Sequence, residues 1–268
     1  MENGKGRLVL ITGASAGIGE AFAHVFASRS WNLVITARRE DRLLALASKL
    51  SADHGVQVTC LPKDLSAPSS VAELVGELNS RGLKADGLVN NAGYAVPGHF
   101  ARTLWDDQAK FIRVLVTAPC ELTHALLPGM IERGWGRILN VASVAGLVPG
   151  SAGHTLYGAA KAFMVKFSQS LLVENERYNV LTTALCPGFT YSEFHDVTGT
   201  RAKVSRMGKA WWSTAEDVAV AGYDGVMNGK AIVVTGRRSK QVVPLMKVLP
   251  DSWALAIMRR RSKAFRNE

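Results

Sequence analysis

Tyr157 and Lys161, in the stretch Tyr157-Gly-Ala-Ala-Lys161, stand four positions apart, which places a phenol and an ammonium on one face of a helix. A cation beside a phenol favours phenolate and draws the tyrosine pKa down from about 10. Such a tyrosine exchanges a proton with a carbonyl or alcohol oxygen. Ser143, just beyond a strand-like run, offers a hydrogen bond to the same oxygen. An exposed Tyr–Lys pair and an ordinary loop serine are the alternative, and the spacing alone does not separate the two.

A second group suits a dinucleotide. The apolar run 7–12 ends in Thr12-Gly13-Ala14-Ser15-Ala16-Gly17-Ile18-Gly19, and 17–29 then carries apolar residues at helical spacing. Glycines at a strand-to-helix turn let a pyrophosphate approach backbone N–H groups and the positive end of the helix dipole. Glycines that merely close a turn are the simpler reading. About 20 residues on, dinucleotide folds carry an acid for ribose hydroxyls or an arginine for a 2′-phosphate. Here the second strand runs out at Ala37-Arg38-Arg39, with Glu40 and Asp41 opening the next helix, so NADP(H) is favoured over NAD(H).

The elements that must hold these groups alternate. Strands are expected at 7–12, 31–37, 56–61, 86–90, 137–141, 180–185 and 231–234, with helices at 17–29, 41–50, 71–78, 106–131 and 155–175. Such alternation implies parallel pairing through right-handed crossovers: an α/β, Rossmann-type, doubly wound seven-stranded sheet flanked by helices on both faces. Pro119 and Pro128 are expected to kink or end the 106–131 helix. Residues 1–239 form one expected domain, with an irregular connection at 189–212 as a substrate lid. Its Phe189, Phe194, Trp211 and Trp212, together with His154, are candidates to line an apolar substrate site.

Composition bounds the rest. The 268 residues are 47% hydrophobic and 20% charged, a globular balance that excludes wholesale disorder. Cys60, Cys120 and Cys186 are dispersed, as are His24, His54, His99, His124, His154 and His195, so neither a disulfide framework nor a metal cluster is expected. A reducing, cytoplasmic setting fits, and no spanning segment is expected. Net charge is +10, and a net of +5 falls in 240–268, a basic amphipathic extension. That tail reads as a packed extension, a cap over an apolar substrate, or an interfacial segment drawn to anionic lipid. Nucleic acid is not expected, because the tail lacks an aromatic-rich basic platform.

Gly13/Gly17/Gly19, Asp64-Leu65, Asn90-Asn91-Ala92-Gly93, Ser143, Tyr157-x-x-x-Lys161 and Pro187-Gly188 together resemble the short-chain dehydrogenase/reductase family, of the classical type, over about 7–236. The resemblance implies a nicotinamide cofactor, Tyr157 as general acid/base, Lys161 on the nicotinamide ribose and Ser143 on the substrate oxygen. It further implies Asp64 and Leu65 near the adenine, Asn90, Ala92 and Gly93 beside the cofactor, Pro187, Gly188 and Thr190 near the nicotinamide, and a homodimer or homotetramer.

One position departs from the family pattern. Where an asparagine is usual about 28 residues before the serine, this chain reads Val114-Leu115-Val116, and leucine has neither donor nor acceptor for a proton-relay water. The favoured expectation is NADPH-dependent reduction of a hydrophobic ketone (3-oxoacyl, steroid-like or bulky) to a secondary alcohol, or the reverse oxidation. The alternative is an NADP(H)-binding regulatory or scaffold protein with little turnover.

Overall fold

A computed structural model describes residues 4–191 and 211–262. The strands are β1 (Leu8–Thr12), β2 (Asn32–Thr36), β3 (Val58–Cys60), β4 (Gly87–Asn90), β5 (Gly136–Val141), β6 (Val180–Cys186), β7 (Phe189–Thr190), β8 (Trp212–Ser213) and β9 (Ile232–Val234). Seven of them form one parallel sheet in the order β3-β2-β1-β4-β5-β6-β9. β7 and β8 make a separate short parallel pair. The inner strands are largely apolar because both sheet faces are covered: Leu10 and Ile11 point to opposite faces and both are fully buried.

On one face lie α1 (Gly17–Ala27) and α2 (Glu40–His54); on the other lies α3 (Ser70–Ser80). The second half adds α4 (Trp105–Ile112), α5 (Ala118–Glu132) and α6 (Thr155–Asn175) on the α3 side, then α7 (Ala215–Met227) along α1. Close packing of α7 depends on Gly222, where a β-carbon would come within 2.8 Å of the Phe22 ring. Phe26 meets Tyr223 edge-on at 5.0 Å, and Trp31 Nε1 donates to the Tyr223 hydroxyl at 3.3 Å.

The two prolines do not stop the long helix. α4 passes into α5 through a π turn, Arg113–Thr117, in which the Ala118 N–H donates to the Arg113 carbonyl; Pro119 follows at the first turn of α5. Pro119 has no N–H to return to the preceding turn, and the wider π geometry absorbs the mismatch. Pro128 lies inside α5 on an exposed face, where the carbonyl it leaves without a donor meets solvent. The stretch Trp105–Glu132 is long and apolar enough to cross a membrane, with a mean hydropathy of 1.4 over its most apolar window. Here its Phe111, Leu115, Leu122 and Met130 pack into the core beneath the sheet instead.

Two further helices, α8 (Arg237–Val248) and α9 (Asp251–Ser262), close the described chain. The expected division at 239/240 falls inside α8. Gly236, at φ +89°, turns the chain from β9 into that helix.

Candidate active site

Chain order runs β1, β2, β3 toward one sheet edge and β4, β5, β6, β9 toward the other, so a crevice opens between the carboxyl ends of β1 and β4. A cavity of about 800 Å³ occupies it. Gly13, Ser15, Gly17 and Ile18 line the cavity at the glycine turn. Gly13 (φ +67°) and Gly17 (φ +60°) both take the left-handed backbone that glycine tolerates. A β-carbon on Gly13 would lie 2.8 Å from the Ala92 backbone, so the turn also needs glycine for closeness.

The turn is tied to β4 by side chains. Asn91 Nδ2 donates to the carbonyls of Thr12 (2.9 Å) and Gly13 (3.2 Å), while Thr12 Oγ1 accepts from the N–H groups of Asn91 (2.9 Å) and Ala92 (3.0 Å). Asn91, Ala92 and Gly93 face the cavity. Asn90 does not: it is buried, and its Nδ2 donates to Asn140 Oδ1 (2.8 Å) and Thr123 Oγ1 (3.3 Å). Alternation along the strand decides this, since residue 90 still belongs to β4 and aims into the structure while 91 has left it. Gly19 is likewise off the cavity wall; a β-carbon there would strike the Gly13 carbonyl, so its place is in packing the helix against the turn.

Toward β2 the wall is cationic. Arg39 Nε and Nη2 donate to Ser15 Oγ at 3.3 and 3.2 Å, and Nη2 also reaches the Ser15 carbonyl at 3.4 Å. Arg38, Lys63, Asp64 and Leu65 line the same end. Burial raises the Asp64 carboxyl, but hydrogen bonds from Ser66, with Arg38 and Lys110 nearby, outweigh it and leave the pKa lowered. Two exposed guanidinium groups beside a serine and a glycine turn suit a phosphorylated ribose and its pyrophosphate.

Toward β5 and β6 the wall carries Ser143, His154, Tyr157, Lys161, Pro187, Gly188, Phe189, Thr190 and Trp211. Ser143 caps the short turn Val144–Gly146, accepting from the Ala145 N–H at 3.1 Å, and is hydrogen-bonded with the Tyr157 hydroxyl. Lys161 Nζ donates to the Val141 carbonyl at 2.7 Å and lies 5.7 Å from the centre of the Tyr157 ring. The expected fall in the Tyr157 pKa is not found. Burial raises it, and the Ser143 hydrogen bond offsets only part of that. Lys161 is buried too, and its pKa falls to about 8. Burial thus disfavours the charged form of each group, and the dominant shift of both follows from it.

Trp212 is not on the cavity wall; it stacks on Tyr191 at 4.5 Å. Phe194 lies outside the described residues, as does most of the expected lid. Three further residues or groups complete the surroundings, of which the sequence singles out only the tail, as a cap, and Leu115. Cys186, at the end of β6, is buried beside Lys161, its thiol pushed up by burial to about 12. Ser239, Val242 and Met246 of α8 and Met258 of α9 also line the cavity, so the C-terminal helices form part of its wall. The helical period of the tail shows an apolar face but not what that face meets. Leu115, finally, is buried behind Gly93, where a β-carbon would lie 3.5 Å from its side chain.

Comparison with known proteins agrees with this geometry. The short chain dehydrogenase family model matches residues 7–202. A sulfoacetaldehyde reductase of Chromohalobacter salexigens is 38% identical over 216 residues, covering 79% of this chain and 84% of that protein. The structure of a short-chain dehydrogenase from Sphingobium yanoikuyae in complex with NADPH superposes with a TM-score of 0.79 at 30% identity, covering 91% and 96% of the two chains. The bulky-bulky ketone specific alcohol dehydrogenase of Comamonas testosteroni gives 0.75 at 27% identity, covering 92% and 96%. With a parallel seven-stranded sheet, a glycine turn at its crevice and this match over most of its length, the chain belongs to the short-chain dehydrogenase/reductase family, of the classical type, and is an NAD(P)-dependent oxidoreductase.

Proposed function

We propose that the protein is an NADPH-dependent carbonyl reductase that converts a hydrophobic ketone to a secondary alcohol and also runs in reverse. The observation that carries this reading is the convergence of Ser143, Tyr157 and Lys161 on the cavity that the glycine turn and Arg39 also line. Arg38, Arg39 and Ser15 would hold the 2′-phosphate; Gly13 to Ile18 would hold the pyrophosphate, beside Asn91 to Gly93. When bound, the reduced nicotinamide supplies a hydride to the carbonyl carbon. Tyr157 gives its proton to the carbonyl oxygen as the negative charge develops there, and a raised pKa keeps that proton in place at neutral pH. Ser143 donates a hydrogen bond to the same oxygen. Lys161 would hydrogen-bond the nicotinamide ribose and pass a proton back to Tyr157, regaining its own from solvent.

The substrate is proposed as apolar because of what surrounds Tyr157. Among the described residues, the cavity's cations are Arg38, Arg39, Lys63 and Lys110 toward Asp64, and Lys161 itself. The rest of the wall on that side carries Val144, Val148, Phe189, Trp211, Val242, Met246 and Met258, interspersed with the uncharged hydroxyls of Ser151, Thr190 and Ser239 and with His154. That surface fits a bulky ketone better than the sulfonate that the name of the Chromohalobacter relative implies. A homodimer or homotetramer is the proposed assembly.

The experiment is loss of NADPH absorbance with a panel of bulky ketones, 3-oxoacyl thioesters and sulfoacetaldehyde, Tyr157→Phe alongside. Turnover of the apolar members, lost by on the order of a hundredfold or more in Tyr157→Phe, supports the proposal. Turnover of sulfoacetaldehyde alone overturns the substrate class. Tight NADPH binding without any turnover points instead to a cofactor-binding regulatory protein.

A further inference from the structure

The last two helices face two ways. On α8, Ser239, Val243 and Met246 share one buried stripe, and Val242 and Met246 reach the cavity. The opposite stripe, Arg237, Gln241, Leu245 and Val248 at i, i+4, i+8 and i+11, is exposed, with Leu245 at 54% and Val248 at 79%. On α9, Ala254 is buried and Met258 lines the cavity, while Trp253 (64%) and Leu255 (45%) flank an outer side that includes exposed Arg259 and Arg260. Large apolar side chains thus stand in solvent among cations: residues 237–262 hold seven Lys or Arg and one acid, Asp251.

We propose that this outer face of α8 and α9 docks on an anionic lipid bilayer. Leu245, Val248, Trp253 and Leu255 would enter the headgroup region, while Arg237, Arg238, Lys247, Arg259 and Arg260 would meet lipid phosphates. Charge selects this occupant over the others. A second copy packed face to face about a twofold axis would set this cationic surface against itself. Nucleic acid would meet the cations and leave the aliphatic side chains without apolar cover. The inner side of the same helices lines the cavity, so docking would hold the cavity one helix layer from the membrane, where apolar ketones concentrate. Only that last consequence rests on the proposed substrate class; the docking surface itself does not.

The test is flotation of the full chain with vesicles of phosphatidylcholine alone and of phosphatidylcholine mixed equally with phosphatidylglycerol, alongside Leu245→Glu/Trp253→Glu and Arg259→Gln/Arg260→Gln. The proposal expects binding to the anionic vesicles only, release at high salt, and a loss of roughly tenfold or more in each double variant with the thermal midpoint unchanged. No reductase assay is needed, so failure of the substrate reading leaves the result intact. Absence of wild-type binding, equal binding to both vesicle types, or wild-type retention in both variants overturns it. So does a dimer, measured by light scattering, that Leu245→Glu/Trp253→Glu splits into monomers without any vesicle binding, which would give the face to a second copy.

Discussion

The Lys161 ammonium donates to the Val141 carbonyl at 2.7 Å, so the last residue of β5 fixes where the cation stands beneath Tyr157. Burial lowers the Lys161 pKa from 10.5 to about 8, which leaves it charged at neutral pH and neutral above about pH 8. If the charged form is the one that works, kcat/KM for ketone reduction falls about tenfold per unit above pH 8. Arginine stays protonated beyond pH 12, so the residual activity of Lys161→Arg should show no limb near 8. A wild-type profile flat to pH 10 would rule out this role for the lysine.

Arg39 offers a sharper reading of cofactor choice than Arg38. Its guanidinium already bridges to Ser15 on the glycine turn, whereas Arg38 lies near Asp64. Charge-assisted hydrogen bonds contribute about 1.5–3 kcal/mol each, so Arg39→Ala should weaken NADPH about ten- to a hundredfold while NADH changes little. Titration of both cofactors by protein fluorescence measures this. Equal losses for the two would place Arg39 outside 2′-phosphate recognition.

Much of this was legible from sequence, for identifiable reasons. Strands covered on both faces are predominantly apolar runs bounded by polar or glycine residues, so the strands could be read from stretches such as 7–12 and 86–90. The Tyr157–Lys161 spacing holds because helical geometry is local. What failed depended on three-dimensional surroundings. Asn90 and Asn91 differ by one residue, and only the end of β4 decides which faces the crevice. The Tyr157 pKa follows burial, which no spacing reports. Pro119 signalled a break, yet the chain widened one turn rather than bending away, because Phe111, Leu115 and Leu122 are held on one side by the sheet.

Behind the crevice, Asn140 is fully buried, accepts from Asn90 Nδ2 at 2.8 Å and donates to Ser168 Oγ at 2.9 Å. This joins β4 and β5, which lead into Asn91 and Ser143, to α6, which carries Tyr157. Replacing Asn140 with Leu leaves buried partners underpaired, at a cost of about 2 kcal/mol. For a chain of this size that lowers Tm by about 4–8 °C in calorimetry. An unchanged Tm would show that the network contributes nothing net.

Leu115 lies in the π turn directly before Pro119, and the two features act on the same carbonyls. Ala118 donates back to Arg113, and Pro119 donates nothing, so the turn has fewer N–H donors than carbonyls. Val114, on that turn, lines the cavity. A backbone oxygen freed there would hold a relay water between Lys161 and solvent as an amide at 115 would, and the effect expected of Leu115→Asn rests on that replacement. Leu115→Asn should therefore leave kcat within about threefold of wild type, since a relay already exists, and should lower Tm because an amide enters an apolar pocket behind Gly93. A restoring effect is the contrary outcome. A rise in kcat of tenfold or more on Leu115→Asn, with the solvent isotope effect reduced, would show that proton resupply limits the natural chain and that the carbonyls of the π turn do not serve it.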